Sequence, residues 1–215
     1  MKPGLIFDLD GTLVDSLPGI AASLNRSLSA HGLLEHPLPT IRSFIGNGLR
    51  NLVQRSAPAD APPALLDSLV ANFKHDYDLT WPQGTTLYPG ILDMLDILRQ
   101  RGFPLAVLSN KTHDFTVAIS RTLCPEIYFV GVLGQQEGIA HKPHPAGALQ
   151  LAATLGSPPA NCVIIGDSSI DMATAANAGM QAIAVAWGFH DRHQLLDAGA
   201  TRIIDHPSEL PDLLG

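Results

Sequence analysis

Leu5-Ile6-Phe7-Asp8-Leu9-Asp10-Gly11-Thr12-Leu13-Val14-Asp15-Ser16 runs three apolar residues straight into two acids spaced i, i+2. A short apolar run reads as a buried strand. Carboxylates at its end repel one another, and desolvating them is costly unless something pairs them. Either the two acids lie in water as an ordinary loop, or a cation sits between them and they do chemistry. The rest of the chain has to choose.

Outward from that stretch, β-like runs recur between helix-like ones. The strand readings are 4–9, 104–109, 127–133, 161–166, 180–187 and 200–205. Helical segments precede most of them: 90–102, 113–123, 144–156 and 168–179. Continuous apolar strands separated by helices argue a parallel sheet covered on both faces. Gly102, Gly156 and Gly179 read as helix stops. The expected fold is α/β, with a doubly wound, Rossmann-like parallel sheet.

From Asp15 to Gly84 the alternation fails. Residues 17–32, 48–57 and 63–77 show helical periodicity with Pro- and Gly-rich joints and no convincing strand, and 80–90 returns the chain to the α/β pattern. We expect a small helical insert at 15–84, placed after the first strand, and a core made of 1–14 and 85–215. An insert there would stand over the carboxyl ends of the strands, where open α/β sheets bind ligands.

Composition limits the function classes. The chain has 215 residues, 46% hydrophobic and 15% charged, with a formal net charge of −7. A sizeable core can be buried. The negative balance, with no Lys/Arg-rich run to offset it, argues against nucleic acid and anionic membranes as partners. No apolar run reaches the roughly 18 residues of a membrane span, and acids interrupt the only short one near the N-terminus. Cys124 and Cys162 read as small buried hydrophobes in a reducing compartment, so a cytoplasmic protein is expected, acting as a monomer or homodimer.

Four polar clusters fall at strand ends: Asp8-Leu9-Asp10-Gly11-Thr12, Ser109-Asn110-Lys111, Lys142-Pro143, and Gly166-Asp167-Ser168-Ser169-Ile170-Asp171. In this architecture strand ends converge on one crevice. Four acids meeting there call for a cation, and oxygen donors suit Mg²⁺. Lys142 adds a positive charge and Ser109 a hydroxyl. These are the parts of phosphoryl transfer. Cations neutralise the phosphoryl oxygens, one carboxylate attacks phosphorus, and another moves the proton.

The ordered set resembles the haloacid dehalogenase superfamily of Mg²⁺ phosphatases. The first motif is matched by 8–16, the second by Ser109, the third by Lys142 and the fourth by 166–171. The resemblance implies Asp8 as nucleophile and Asp10 as general acid/base. It implies metal ligation by the Asp8 carboxylate, the Asp10 main-chain carbonyl and the Asp167 carboxylate. Asp171 would act nearby, on a metal-bound water or on Lys142. Gly11, Thr12 and Asn110 would bind substrate, and the insert would be a helical cap presenting Gly46 and Asn47. Within the superfamily the chain resembles the phosphoglycolate phosphatase branch, through 44–53, 87–91, 109–111, 142–156, 166–179, 186–189 and 199–210. A small phosphorylated metabolite such as 2-phosphoglycolate is the expected substrate. A phosphosugar mutase of the same superfamily is the alternative enzyme. A phospho-accepting signalling module is the alternative from another class, opposed by the early position of the acids and by the insert.

Several residues have plainer readings. Lys111 divides between solvent and substrate. Arg42 and Arg50 are candidates for a substrate carboxylate. His141 and His144 suggest zinc, but Pro143 between them and the lack of further ligands argue for structural roles. His190 and His193 read as surface residues. Asp15 and Ser16 read as a hinge and helix N-cap, with Pro18 in the first turn.

Overall fold

The computed structural model describes residues 2–124 and 128–215. Strand β1 (Gly4–Phe7) is buried along its whole length. Leu5, Ile6 and Phe7 have no exposed surface. At about 1.5–3 kcal/mol for each such side chain, this short strand anchors the acids that follow it. The chain then passes through β2 (Val14–Asp15) into α1 (Leu17–Ala30), α2 (Leu38–Phe44), α3 (Leu49–Ser56) and α4 (Pro63–Gly84). It returns through β3 (Thr86–Leu87), which pairs with β2. From there β and α elements alternate: α5 (Ile91–Gln100), β4 (Leu105–Thr112), α6 (His113–Leu123), β5 (Phe129–Gln135), α7 (Ala146–Thr154), β6 (Cys162–Gly166), α8 (Ser169–Ala178), β7 (Gln181–Val185), α9 (Arg192–Asp197), β8 (Ile203–Ile204) and α10 (Glu209–Leu214).

Six strands form one parallel sheet in the order β5-β4-β1-β6-β7-β8. The doubly wound α/β fold read from the sequence is the fold observed. Its chain runs outward from β1 through β4 to β5, then crosses back to β6 on the other side of β1. That reversal puts a topological switch point at the carboxyl end of β1, where Asp8 begins. On one face Ile6, Ala106, Leu108, Leu133 and Ile164 pack with Ala148, Leu151 and Ala152 of α7 and Ala175 and Ala178 of α8. The alternate residues Leu5, Phe7, Val107, Val163 and Ile165 are buried as well. Burial on both faces is why these strands read as unbroken apolar runs.

The chain divides into two compact units. One comprises the residues up to Val14 with Leu87–Gly215, and the other is Asp15–Thr86. The second is helical. Its longest helix, α4, carries Leu69, Phe73, Tyr77 and Trp81 as a buried stripe at a spacing of four. It runs on through Pro82 to Gly84, where the sequence suggests the chain has already left the helix. Proline in a helix interior costs about 3 kcal/mol, but here only the final turn is affected and the buried aromatic stripe holds it. Ser16 stands at the N-cap of α1 as read, yet its side chain makes no cap bond; the Asp15 carboxylate accepts the Leu17 N–H instead, at 3.2 Å.

The strand read at 127–133 is β5, which begins at Phe129 and continues to Gln135; Ile127 lies outside the described residues. Cys124 and Cys162 are free and buried. Among the described residues, no helix is long and apolar enough to cross a membrane.

Candidate active site

Parallel pairing brings the strand ends level. Phe7 stands beside Val107 on β4 and Ile165 on β6, and the Asp8 N–H continues the ladder to Ile165 O at 2.9 Å. Asp8 therefore leaves β1 where Gly166 and Asp167 leave β6. Asp171 sits in the first turn of α8, the next helix. Ligand oxygens of Asp8, Asp167 and Asp171 lie within 4.8 Å of one another.

Lys142, on the connection from β5 to α7, enters this cluster. Its Nζ is 3.0 Å from Asp8 Oδ1 and 2.6 Å from Asp171 Oδ1. Burial opposes the lysine charge, but Asp171 and Asp8 outweigh it and hold the ammonium protonated. Burial pushes Asp8 well above the usual carboxylate range, with Lys142 opposing and Asp171 and Asp167 adding to the rise. Burial and then Asp171 push Asp167 up to about 7. The sign of these shifts follows from charge. Three ionised carboxylates against one ammonium leave two uncompensated negative charges in a dry site. Without a cation, protons supply the deficit; a divalent cation matches it and returns the acids to their ionised forms. The donor set thus fits a hard divalent ion.

Each acid is held by specific neighbours. Leu9 N–H donates to Asp8 Oδ1 at 2.7 Å. Thr12 Oγ1 donates to Asp167 Oδ1 at 3.0 Å, and Phe189 N–H to Asp167 Oδ2 at 2.7 Å. Asp171 Oδ2 accepts from the Ser168 N–H and hydroxyl in a capping box at the start of α8. With Oδ1 on Lys142, both Asp171 oxygens have protein partners.

The expected substrate contacts fare differently. Ser109 is buried beside the site, its Oγ accepting the Lys111 N–H at 3.2 Å. Asn110 turns its amide onto the main chain of Lys142. It accepts from Lys142 N at 2.7 Å and donates to Lys142 O at 3.0 Å. Thr12 and Asn110 thus hold Asp167 and Lys142 in place. The Gly11 N–H donates to Val14 O at 2.9 Å, closing the turn after β1. Gly46 and Asn47 belong to the helical unit, in the turn between α2 and α3. Arg42 is exposed on α2, and Arg50 pairs with Asp67 within the same unit. His144 Nδ1 accepts the Ala146 N–H at 3.2 Å. His190 Nδ1 accepts the Ser169 N–H and His193 pairs with Asp197.

Two features escaped the residue-by-residue reading. Lys111 is 8% exposed at its side chain and grips the Asp10 carboxylate, with Nζ 3.0 Å from Oδ1 and 3.2 Å from Oδ2. The Trp187-Gly188-Phe189 segment after β7 braces Asp167 and the turn after β1. Trp187 Nε1 donates to Thr12 O at 3.0 Å. Gly188 and Gly11 pack on Asp167 so closely that a Cβ at either would lie within 2.3 Å of its side chain. The sequence signalled this segment only as part of a family resemblance.

Residues 5–185 match the family described as haloacid dehalogenase-like hydrolase. The chain is 38% identical over 201 residues to a phosphoglycolate phosphatase of Rhodobacter capsulatus, covering 92% of this chain and 90% of that protein. It is 32% identical over 220 residues to a phosphoglycolate phosphatase of Psychrobacter arcticus, covering 99% and 96%. The crystal structure of a predicted phosphoglycolate phosphatase from Haemophilus somnus superposes with a TM-score of 0.93 at 27% identity, covering 100% of this chain and 98% of that one.

Proposed function

The chain belongs to the haloacid dehalogenase-like hydrolases and is a phosphoric monoester hydrolase of that family, and we propose that it hydrolyses 2-phosphoglycolate, or a close small carboxylated phosphate ester, through a phosphoenzyme formed on Asp8. The observation that carries the mechanism is the division of the acids. Asp8 and Asp171 pair with Lys142 and cluster with Asp167, while Asp10 pairs with Lys111.

Leu9 N–H and Lys142 both meet Asp8 Oδ1, which fixes the carboxylate from one side and directs Oδ2 to phosphorus. Asp8 attacks, the bond from phosphorus to the alcohol oxygen breaks, and Asp10 gives its proton to the departing oxygen. Asp10 then takes a proton from the water that attacks the phosphoaspartate, releasing inorganic phosphate and restoring Asp8. Lys142, held by Asp171 and Asn110, offsets charge on the phosphoryl oxygens, and the Ser109 hydroxyl donates to one of them. Asp8, Asp167 and the Asp10 carbonyl would hold Mg²⁺, which when bound supplies positive charge to the phosphoryl group.

The substrate assignment is supported by the named relatives. The cytoplasmic assignment is supported by two free, buried cysteines. The test is phosphate release from 2-phosphoglycolate, hexose phosphates, nucleotides and pyrophosphate, with Mg²⁺ and with chelator. Mg²⁺-dependent release favouring 2-phosphoglycolate is expected. Preference for another ester would remove the substrate, and conversion to an isomer without phosphate release would make the protein a mutase.

A further inference from the structure

We propose that Lys111 is a positioning residue for the reaction, holding the Asp10 carboxylate in the orientation from which it gives and takes its proton. The inference rests on Asp10 being the general acid and base. Lys111 Nζ reaches both Asp10 oxygens, at 3.0 and 3.2 Å. A carboxylate gripped at both oxygens cannot turn about its Cβ–Cγ bond without losing a contact. The pair is mostly sheltered, with 8% of the lysine side chain and 13% of the aspartate side chain exposed. It is therefore less screened than a surface ion pair and holds its geometry better.

The backbone that delivers Lys111 is purpose-built. Along β4 and β5, Leu108 pairs with Leu133 and Thr112 with Gln135. Residues 109–111 of β4 thus stand against Gly134 alone. Bulges of this kind re-aim side chains beside active sites. Gly134 is what allows it: a Cβ there would lie 2.7 Å from Lys111 O, 2.6 Å from His113 Cα and 2.4 Å from Thr116 Oγ1. The buried Thr116 hydroxyl lies 3.1 Å from Lys111 O and 3.0 Å from Thr112 O, and donates to these carbonyls. The Lys111 N–H donates to Ser109 Oγ. Both main-chain groups of Lys111 are pinned, so its side chain leaves from a fixed point. The two lysines divide the work: Lys142 serves the attacking acid and Lys111 the proton-moving one.

The test assays the Mg²⁺-loaded enzyme on phenyl and 4-nitrophenyl phosphate, as wild type, Lys111→Met, Asp10→Asn and the double variant. Here kcat/KM reports the steps through departure of the alcohol. A good leaving group departs without a proton. Lys111→Met should therefore lower kcat/KM about tenfold or more for phenyl phosphate and less than about threefold for 4-nitrophenyl phosphate. With the latter, kcat and KM should fall together as phosphoenzyme hydrolysis slows. On the Asp10→Asn background the same substitution should change kcat/KM by less than about threefold for both esters. Lys111→Gln must reproduce the pattern, which covers the case where the Met variant folds poorly. Equal losses for both esters, a full loss on the Asp10→Asn background, or a rise in KM alone would overturn the positioning role. An Asp10→Asn variant without leaving-group dependence would instead bring down the acid/base reading, and Lys111's role with it.

Discussion

Asp8 and Asp10 are two positions apart and keep different electrostatic company. Asp8 faces Lys142 and two other carboxylates, and burial raises its pKa. Asp10 faces Lys111. Between them stands Leu9, whose C=O accepts the N–H groups of Thr12, Leu13 and Val14. Asp8→Asn removes the oxygen proposed to attack phosphorus and one of three like charges. It should cut turnover by on the order of 10³ or more, while leaving the circular dichroism unchanged and raising the unfolding midpoint of the chelated protein. Near-normal turnover would refute the nucleophile assignment. Both acids were legible in the sequence because they follow an apolar run. Lys111 was not, because strand alternation assigns a side chain to one face only where the register is regular, and the bulge against Gly134 breaks the register there.

The carboxyl end of β4 is the element that ties the site together. Ser109 lies beside it, Lys111 reaches Asp10, and Asn110 reaches the main chain of Lys142 in the connection that follows β5. Asn110→Ala would leave the buried Lys142 N–H and C=O without these partners. Leaving a buried polar group unsatisfied costs about 1–3 kcal/mol, so a loss of that order is expected in denaturant unfolding, with a further fall in kcat as Lys142 drifts. Unchanged stability would mean that Asn110 does not brace this connection. Helix ends at Gly were readable from local chemistry. The extension of α4 through Pro82 was not, because the buried stripe that ends at Trp81 overrides a local breaker.

At the scale of the molecule, the parallel sheet gathers carboxylates that no local pairing would tolerate. Asp167 is held at about 7 against an ordinary value of 3.8, and Asp8 is raised with it. In the cation-free protein the folded state keeps protons that the unfolded chain gives up between about pH 4 and 7. Stability should therefore fall as pH rises through that window, by on the order of a few kcal/mol. With chelator present, the unfolding midpoint at pH 8 should lie below that at pH 6, and Mg²⁺ should raise it more at pH 8 than at pH 6. A Mg²⁺ shift that is equal at both values would disconnect the ion from these carboxylates.

The sequence alone determined the sheet, the helical insert after the first strand, and the four clusters of chemistry-bearing residues, because hydrophobic period and strand-end placement are local properties of the chain. Only the tertiary structure decided what each side chain does once there. Thr12 and Asn110 turned out to hold Asp167 and Lys142, Asp171 to hold Lys142, and Lys111 to hold Asp10. These pairings join residues that parallel crossovers bring together from distant parts of the chain. Hydrogen bonds and ion pairs depend on distances of a few ångströms and on direction, which no spacing along a sequence encodes.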